Sequence, residues 1–149
     1  MDTAELRVEL LTAVTDEDAE AIAALLGQLS ASARFDRALI DGIVAHDATE
    51  LLVVRDGGRP VGMATLVTYP IPSGLRGHVE DVVVHEDARG KGIARLLLQR
   101  MTELAEERGL RTLDLTSRPS RESALRLYES VGFARRETNV LRFVPRCAD

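Results

Sequence analysis

Two adjacent carboxylates, a basic glycine loop and a helical tyrosine are the residues of this chain whose types and spacing carry chemistry. Glu80 and Asp81 sit within Gly77-His-Val-Glu-Asp-Val-Val-Val84, and Arg89-Gly90-Lys91-Gly92 follows closely. Tyr128 lies in Ala124-Leu-Arg-Leu-Tyr-Glu-Ser-Val-Gly-Phe133. A carboxylate can take a proton from a nucleophile, and a tyrosine can hydrogen-bond a developing anion. A glycine loop that opens a helix turns unpaired backbone N–H groups toward its contents, and the helix dipole adds partial positive charge. Arg89, Lys91 and Arg95 add full positive charges. Such a corner suits an anion, above all a phosphate or pyrophosphate.

Local elements must hold these groups in place. Val79, Val82, Val83 and Val84 are β-branched and bounded by polar residues, which predicts a strand. From Ile93 the period changes: Ile93, Leu97, Met101 and Leu104 recur at helical spacing, with Arg95, Gln99, Arg100 and Glu103 off the stripe. On an unbroken strand neighbours face opposite sides, so Glu80 is expected with His78, Val82 and Val84, and Asp81 with Val79 and Val83. The two carboxylates then cannot both point at one substrate, and which of them is the base stays open. The P-loop pattern is absent, because Gly92 follows Lys91 and no Ser or Thr stands there for magnesium. The dinucleotide pattern runs into Arg95 where its third glycine belongs. What remains is Arg89-x-x-Gly92-x-Ala94.

The rest of the chain reads as alternating elements. A first strand is expected around Leu6–Leu11, then a helix capped by Thr15, with Asp16, Glu17 and Asp18 in its first turn. A second helix is predicted from about Asp36 to Ala45, weakened by Gly42. Glu50 to Val67 reads as a hairpin turning at Asp56-Gly57-Gly58, and Tyr69–Gly77 as a loop. Gly109 marks the end of the long helix, Leu110–Thr116 a further strand and Ser117–Arg121 a loop; a helix then begins at Ser120 or Arg121, carries Ala124, Leu127, Tyr128 and Val131, and ends at Gly132-Phe133. Phe133–Arg136 and Asn139–Val144 would form a closing hairpin. The order β-α-α-β-β-β-α-β-α-β-β predicts an α/β (α+β) fold: a mixed, mostly antiparallel sheet, with a parallel pair around the long helix and about four flanking helices.

Length and composition bound the rest. At 149 residues one domain is expected, spanning 1–149. A net charge of −5 argues against a general nucleic-acid-binding surface, so the basic cluster at Arg89 stands against the global sign and favours a small anionic ligand. No apolar run is long enough for a transmembrane helix. The acidic Met1-Asp2-Thr3-Ala4-Glu5 lacks the apolar stretch of a signal peptide, and the single Cys147 fits a reducing, cytoplasmic compartment. His78 and His85 lie on opposite strand faces with no third ligand in evidence, so no metal is expected.

Arg89-x-x-Gly92-x-Ala94, after a strand and opening a helix, resembles the coenzyme A pyrophosphate loop of the GNAT superfamily of N-acetyltransferases. Ala124-x-x-Leu-Tyr-Glu-x-x-Gly-Phe133 resembles that family's C-terminal signature. The resemblance is tightest from about Glu50 to Phe143, and Gly77–Val84 is similar to the central strand of the glucosamine-phosphate branch.

The resemblance implies acetyl-CoA as cosubstrate and acetyl transfer to a primary amine in a ternary complex. It places the pantetheine arm along Val82, Val83 and Val84, in a gap where the central strand and the next one splay apart. The pyrophosphate would lie on Arg89, Gly90, Lys91, Gly92, Ile93, Ala94 and Arg95, with Ser117, Arg121, Ala124 and Tyr128 completing the cofactor contacts. Tyr128 would stand near the thioester sulfur, and Glu80 or Asp81 would receive the amine's proton. One departure is Arg121, where the family often has an asparagine. The family often dimerises, which extends to this chain a homodimer through the C-terminal strands. The acceptor stays open: a small-molecule or a protein amine, cationic by the net charge, or anionic if Arg34, Arg37 and Arg76 face it. The alternative is a non-catalytic acyl-CoA-binding sensor that keeps the loop without turnover.

Overall fold

A computed structural model describes residues 6–146, so Met1–Glu5 and Cys147 lie outside the described residues. One sheet has the order β1-β2-β3-β4-β5, from Val8–Leu10, Thr49–Asp56, Arg59–Ile71, Gly74–Val84 and Thr112–Asp114. Neighbours are antiparallel except β4 and β5, which run parallel, as the expected mixed sheet requires. Helices α1 (Asp16–Leu29) and α2 (Arg37–Ala45) precede β2; α3 (Ile93–Glu107) crosses between the parallel strands, and α4 (Glu122–Val131) follows β5. Among the described residues no helix is long and apolar enough to cross a membrane.

Each helix starts and stops where its side chains dictate. The Thr15 hydroxyl accepts the Asp18 N–H at 3.0 Å, and the Asp36 carboxylate accepts from Ala38 and Leu39. The stripe Ile93, Leu97, Met101, Leu104 is buried against Leu52, Val54, Ala64, Leu66 and Val79 on one face of the sheet. Each of these side chains contributes about 1.5–3 kcal/mol by leaving water. The other face packs Leu51, Val53, Met63 and Val83 against Ile22 and Leu25 of α1, with Ile40, Ile43 and Val44 of α2 at its margin. Arg108, at the C-terminal end of α3, grips the carboxylate of Glu50 on β2 through both terminal nitrogens. That bidentate pair fixes the far end of the crossover helix.

Three expectations need correction. Tyr69–Gly77 is not a loop: β3 and β4 continue into a tight hairpin, pairing Pro70 with Leu75 and Ile71 with Gly74. Arg111 tightens it by donating to the Ser73 carbonyl from its side chain and to the Leu75 carbonyl from its backbone. The strand expected over Leu110–Thr116 shrinks to Thr112–Asp114, because it pairs on one side only and only with Arg76–His78. The closing hairpin at Phe133–Arg136 and Asn139–Val144 is absent, and among the described residues no strand follows β5. Arg135 instead pairs with Glu129 of α4 at 3.2 Å. Val140, Leu141, Phe143 and Val144 consequently stand 66–91% exposed. A two-stranded ribbon with no face to bury is marginal in water.

A buried ion pair ties α1 to the sheet. Asp18, 4% exposed, receives Arg55 Nη1 at 2.6 Å and Nη2 at 3.1 Å, and Arg55 Nε reaches Glu9 at 2.7 Å. The Arg55 hydrogen bonds hold the Asp18 carboxyl below its usual range, against the opposing effect of burial. A depressed native pKa gives stability that is complete above about pH 4 and is lost as pH falls through the native value. Asp18→Asn is expected to cost about 2–3 kcal/mol at pH 7, below the range for fully buried pairs because Arg55 keeps Glu9 and some solvent. Chemical denaturation should show that gap between the two proteins narrowing as the pH is lowered below about 4.

Candidate active site

The central strand is not regular where the two carboxylates sit. Thr65 faces Glu80 and Met63 faces Val83, so Asp81 and Val82 together oppose the single residue Ala64. This is a β-bulge. Asp81 takes φ +52°, the one non-glycine residue in the left-handed region among those described, and aspartate tolerates that region better than most side chains. The bulge overturns the expected faces. Val79 packs with Val82 and Val84 on the α3 side, while Val83 packs on the α1 side. Glu80 therefore keeps company with His78 and, past the bulge, with Val83, and no longer shares a face with Val82 and Val84.

The parallel pairing ends at the same place. Strand β5 pairs Thr112, Leu113 and Asp114 with Arg76, Gly77 and His78, and nothing on β5 pairs with Glu80 or beyond. Close packing sets this geometry. A Cβ on Gly77 would stand 2.8 Å from Leu110 Cδ1 and 3.0 Å from Leu113 Cδ1, so any larger residue there would have to push both leucine tips aside. On the next strand, a Cβ on Gly62 would stand 2.5 Å from Ile93 Cγ2, so the first turn of α3 rests on bare backbone.

The loop before α3 is shaped for an anion. Gly92 caps α3 in the left-handed conformation, φ +75°, and makes no side-chain cap bond. The first intrahelical bond runs from Leu96 N–H to Gly92 C=O at 3.0 Å, which leaves the N–H groups of Ile93, Ala94 and Arg95 without helical acceptors. They face a cavity of about 520 Å³ that Val82, Val83, Val84, Arg89, Gly90, Gly92, Ile93, Ala94 and Arg95 line from one side. Arg121, Ser123, Ala124, Leu127 and Tyr128 line it from α4, and Gln28 and Leu29 from α1. A cavity of about 190 Å³ adjoins it, lined by Glu80, Asp81, Val82, Leu115, Thr116, Arg121 and Tyr128 among others. Leu29, Val82, Arg121 and Tyr128 belong to both.

Most residues singled out in the sequence thus converge on two joined cavities. Two do not. Lys91 lies outside the lining and approaches Asp56, the last residue of β2, at 3.9 Å. Ser117 lines neither cavity, and its Oγ is buried without a partner. His85 accepts the Asp87 N–H at 3.1 Å and caps the 3-10 turn Glu86–Ala88. His78 Nδ1 lies 3.0 Å from Glu80 Oε1, within ion-pair range though off the line of a hydrogen bond. Tyr128 is braced edge-on by Phe133, with ring centroids 6.4 Å apart. Gln28 and Leu29 were not foreseen. Gln28 Oε1 accepts the Glu86 N–H at 2.9 Å, a contact across 58 residues that no local pattern encodes.

The residues fit the pyrophosphate and pantetheine of coenzyme A. Cβ atoms built on Gly90 and Gly92 would meet nothing within 4 Å, so the loop backbone is open to a close ligand. The unpaired length of β4 beyond His78 offers an edge to an extended arm.

Comparison with known proteins agrees with this geometry. The model of the Acetyltransferase (GNAT) family matches residues 11–133, reaching further toward the N-terminus than the resemblance in the sequence and stopping before the segment that forms no hairpin. A glucosamine 6-phosphate N-acetyltransferase of Trypanosoma brucei brucei is 35% identical over 92 residues, 60% of this chain and 60% of that protein. An L-amino acid N-acyltransferase of Escherichia coli is 32% identical over 84 residues, 56% of this chain and 49% of that protein. The chain thus spans about half to three-fifths of the length of these curated relatives. The solved structure of a ribosomal-protein-alanine N-acetyltransferase from Brucella melitensis superposes with a TM-score of 0.71 at 32% identity, covering 93% of this chain and 99% of that one. The parallel pair that parts at a bulge, the open glycine loop on α3 and the family match together make this chain a member of the acetyltransferase (GNAT) family.

Proposed function

We propose that the chain, as one domain, is an acetyl-CoA-dependent N-acetyltransferase that acts on a primary amine by direct attack in a ternary complex. The observation that carries this reading is the pair of joined cavities, one lined by the glycine loop and the other by Glu80 and Asp81, with Tyr128 at their junction. Bound acetyl-CoA would supply an acetyl group activated as a thioester. The chain's residues then have three tasks: hold the phosphates, remove a proton from the amine, and stabilise charge at the reacting carbonyl and sulfur.

Arg89, Arg95 and the free N–H groups of the α3 turn hold the phosphates. Val82, lifted out of the β3–β4 register by the bulge, offers a backbone N–H as oxyanion donor. Tyr128 lines both cavities, and the role we assign it is a hydrogen bond from its hydroxyl to the departing thiolate. The amine, with an ordinary pKa of about 10.4, must lose a proton before it attacks. Glu80 is the base we favour. Its carboxylate lines the acceptor cavity beside His78, whereas aspartate at position 81 is already accounted for by the left-handed bulge. The alanine, amino-acid and amino-sugar amines of the relatives are starting points for the acceptor. A reducing, cytoplasmic setting fits the single cysteine.

Thiol release with acetyl-CoA and a panel of primary amines tests the reading. Glu80→Gln is expected to lower kcat by about 10²–10⁴-fold with acetyl-CoA affinity unchanged, the usual range for a lost general base. Asp81→Asn, which keeps the left-handed preference, should retain activity within about tenfold. Saturable binding without turnover of any amine would favour a sensor instead.

We further propose a homodimer, in which Val140–Val144 of one copy covers the unpaired outer edge of β5 in the other. Light scattering should report a dimer for the wild type and a monomer for Leu141→Asp/Phe143→Asp.

A further inference from the structure

The acceptor-side cavity is dipolar. Its described lining carries two carboxylates, Glu80 and Asp81, and one cation, Arg121. Two of the three arginines that the sequence offers as anion readers are engaged elsewhere. Arg37 bonds Asp16, Asp41 and the Val14 carbonyl, and Arg76 bonds Thr112 and Ser73. Neither they nor Arg34 line this cavity. Arg121 has no ion-pair partner among the described residues, although Glu80 and Asp81 share its cavity.

The position of Arg121 is fixed by its backbone. It is the residue before the first turn of α4, and the Leu125 N–H donates to its carbonyl at 3.0 Å. The phosphate end of the larger cavity already has Arg89, Arg95 and the open helix turn. Among its described lining residues the smaller cavity has no other cation. An exposed arginine in that lining, with no ion-pair partner among the described residues, suits a ligand that brings its own anion as well as its amine.

Resting on the acetyltransferase reading above, we propose that Arg121 determines acceptor specificity: the substrate is an amine that also bears a carboxylate or phosphate, the ammonium approaching Glu80 and the anion pairing with Arg121. The shared chemistry is an oxyanion that can accept two parallel N–H bonds. A carboxylate source and a phosphate source are told apart by the probes.

The test uses matched amines in the full-length protein: an amino acid against its methyl amide, and glucosamine 6-phosphate against glucosamine. Thiol release gives kcat/KM, and calorimetry gives the acetyl-CoA Kd. The wild type should prefer the anionic member of one pair by about tenfold or more, the scale of a single charge-assisted hydrogen bond. Arg121→Gln should erase that preference: the ratio of kcat/KM for the anionic over the neutral member should fall to about one, mainly through the acceptor KM, and this ratio is the readout because any shared change in acetyl-CoA affinity cancels from it. Arg121→Lys should recover part of it, having charge but no planar fork. An equal preference in wild type and Arg121→Gln overturns the proposal, and so does a loss confined to the acetyl-CoA Kd. Turnover of neither member of either pair, with acetyl-CoA still bound, overturns this proposal and leaves the cofactor reading standing. No acetyl-CoA binding by the wild type overturns both.

Discussion

Strand β4 cannot stay paired on both sides through Glu80, and the rest of the site depends on that. Its pairing with β5 stops at His78, and its pairing with β3 shifts register at Asp81. A regular sheet would have satisfied these backbone groups internally. Here they are left for a ligand, between two layers that are otherwise well packed. The local cost is moderated by sequence: aspartate tolerates the left-handed bulge, and the valines around it keep both core faces filled.

Packing and charge then divide the labour. The α3 side is a tight apolar layer, and its close approach at Gly62 fixes where the free N–H groups of the first turn lie. The charges that matter are local. A chain of net charge −5 concentrates Arg89, Arg95 and Arg121 along one cavity and sets Glu80 and Asp81 in the next. Field lines in a cleft with low-dielectric walls are focused, so this arrangement outweighs the net sign for a small ligand. The ion pairs Asp18–Arg55 and Glu50–Arg108 serve the frame, anchoring α1 and α3 to β2 outside both cavities.

Much of this was legible in the residues. The helix stripe of α3, the caps Thr15 and Asp36, and the glycine loop follow from periods of one to four residues, which local chemistry sets. Twelve of the fourteen residues expected to touch the cofactor line the larger cavity. What was misread depends on partners distant in sequence. The bulge that reverses the faces of Val82 and Val84 arises from register against β3 and leaves no local signature beyond an aspartate. Lys91 turns to Asp56, thirty-five positions earlier in the chain. Asn139–Val144 is rich in β-branched and aromatic residues, but a strand also needs an edge to pair with, and among the described residues this segment takes none.

The most direct measurement is calorimetric titration of acetyl-CoA into the wild type and Gly92→Glu. The substituted residue must adopt φ near +75° and sets a carboxylate where the phosphates would lie. A Kd at or below about 100 μM for the wild type, a binding free energy of more than about 5 kcal/mol, with no heat from the folded variant, is the expected result. Equal binding by both proteins, or no heat from the wild type up to about 1 mM, would contradict the account, leaving the loop as a turn and the cavities without their ligand.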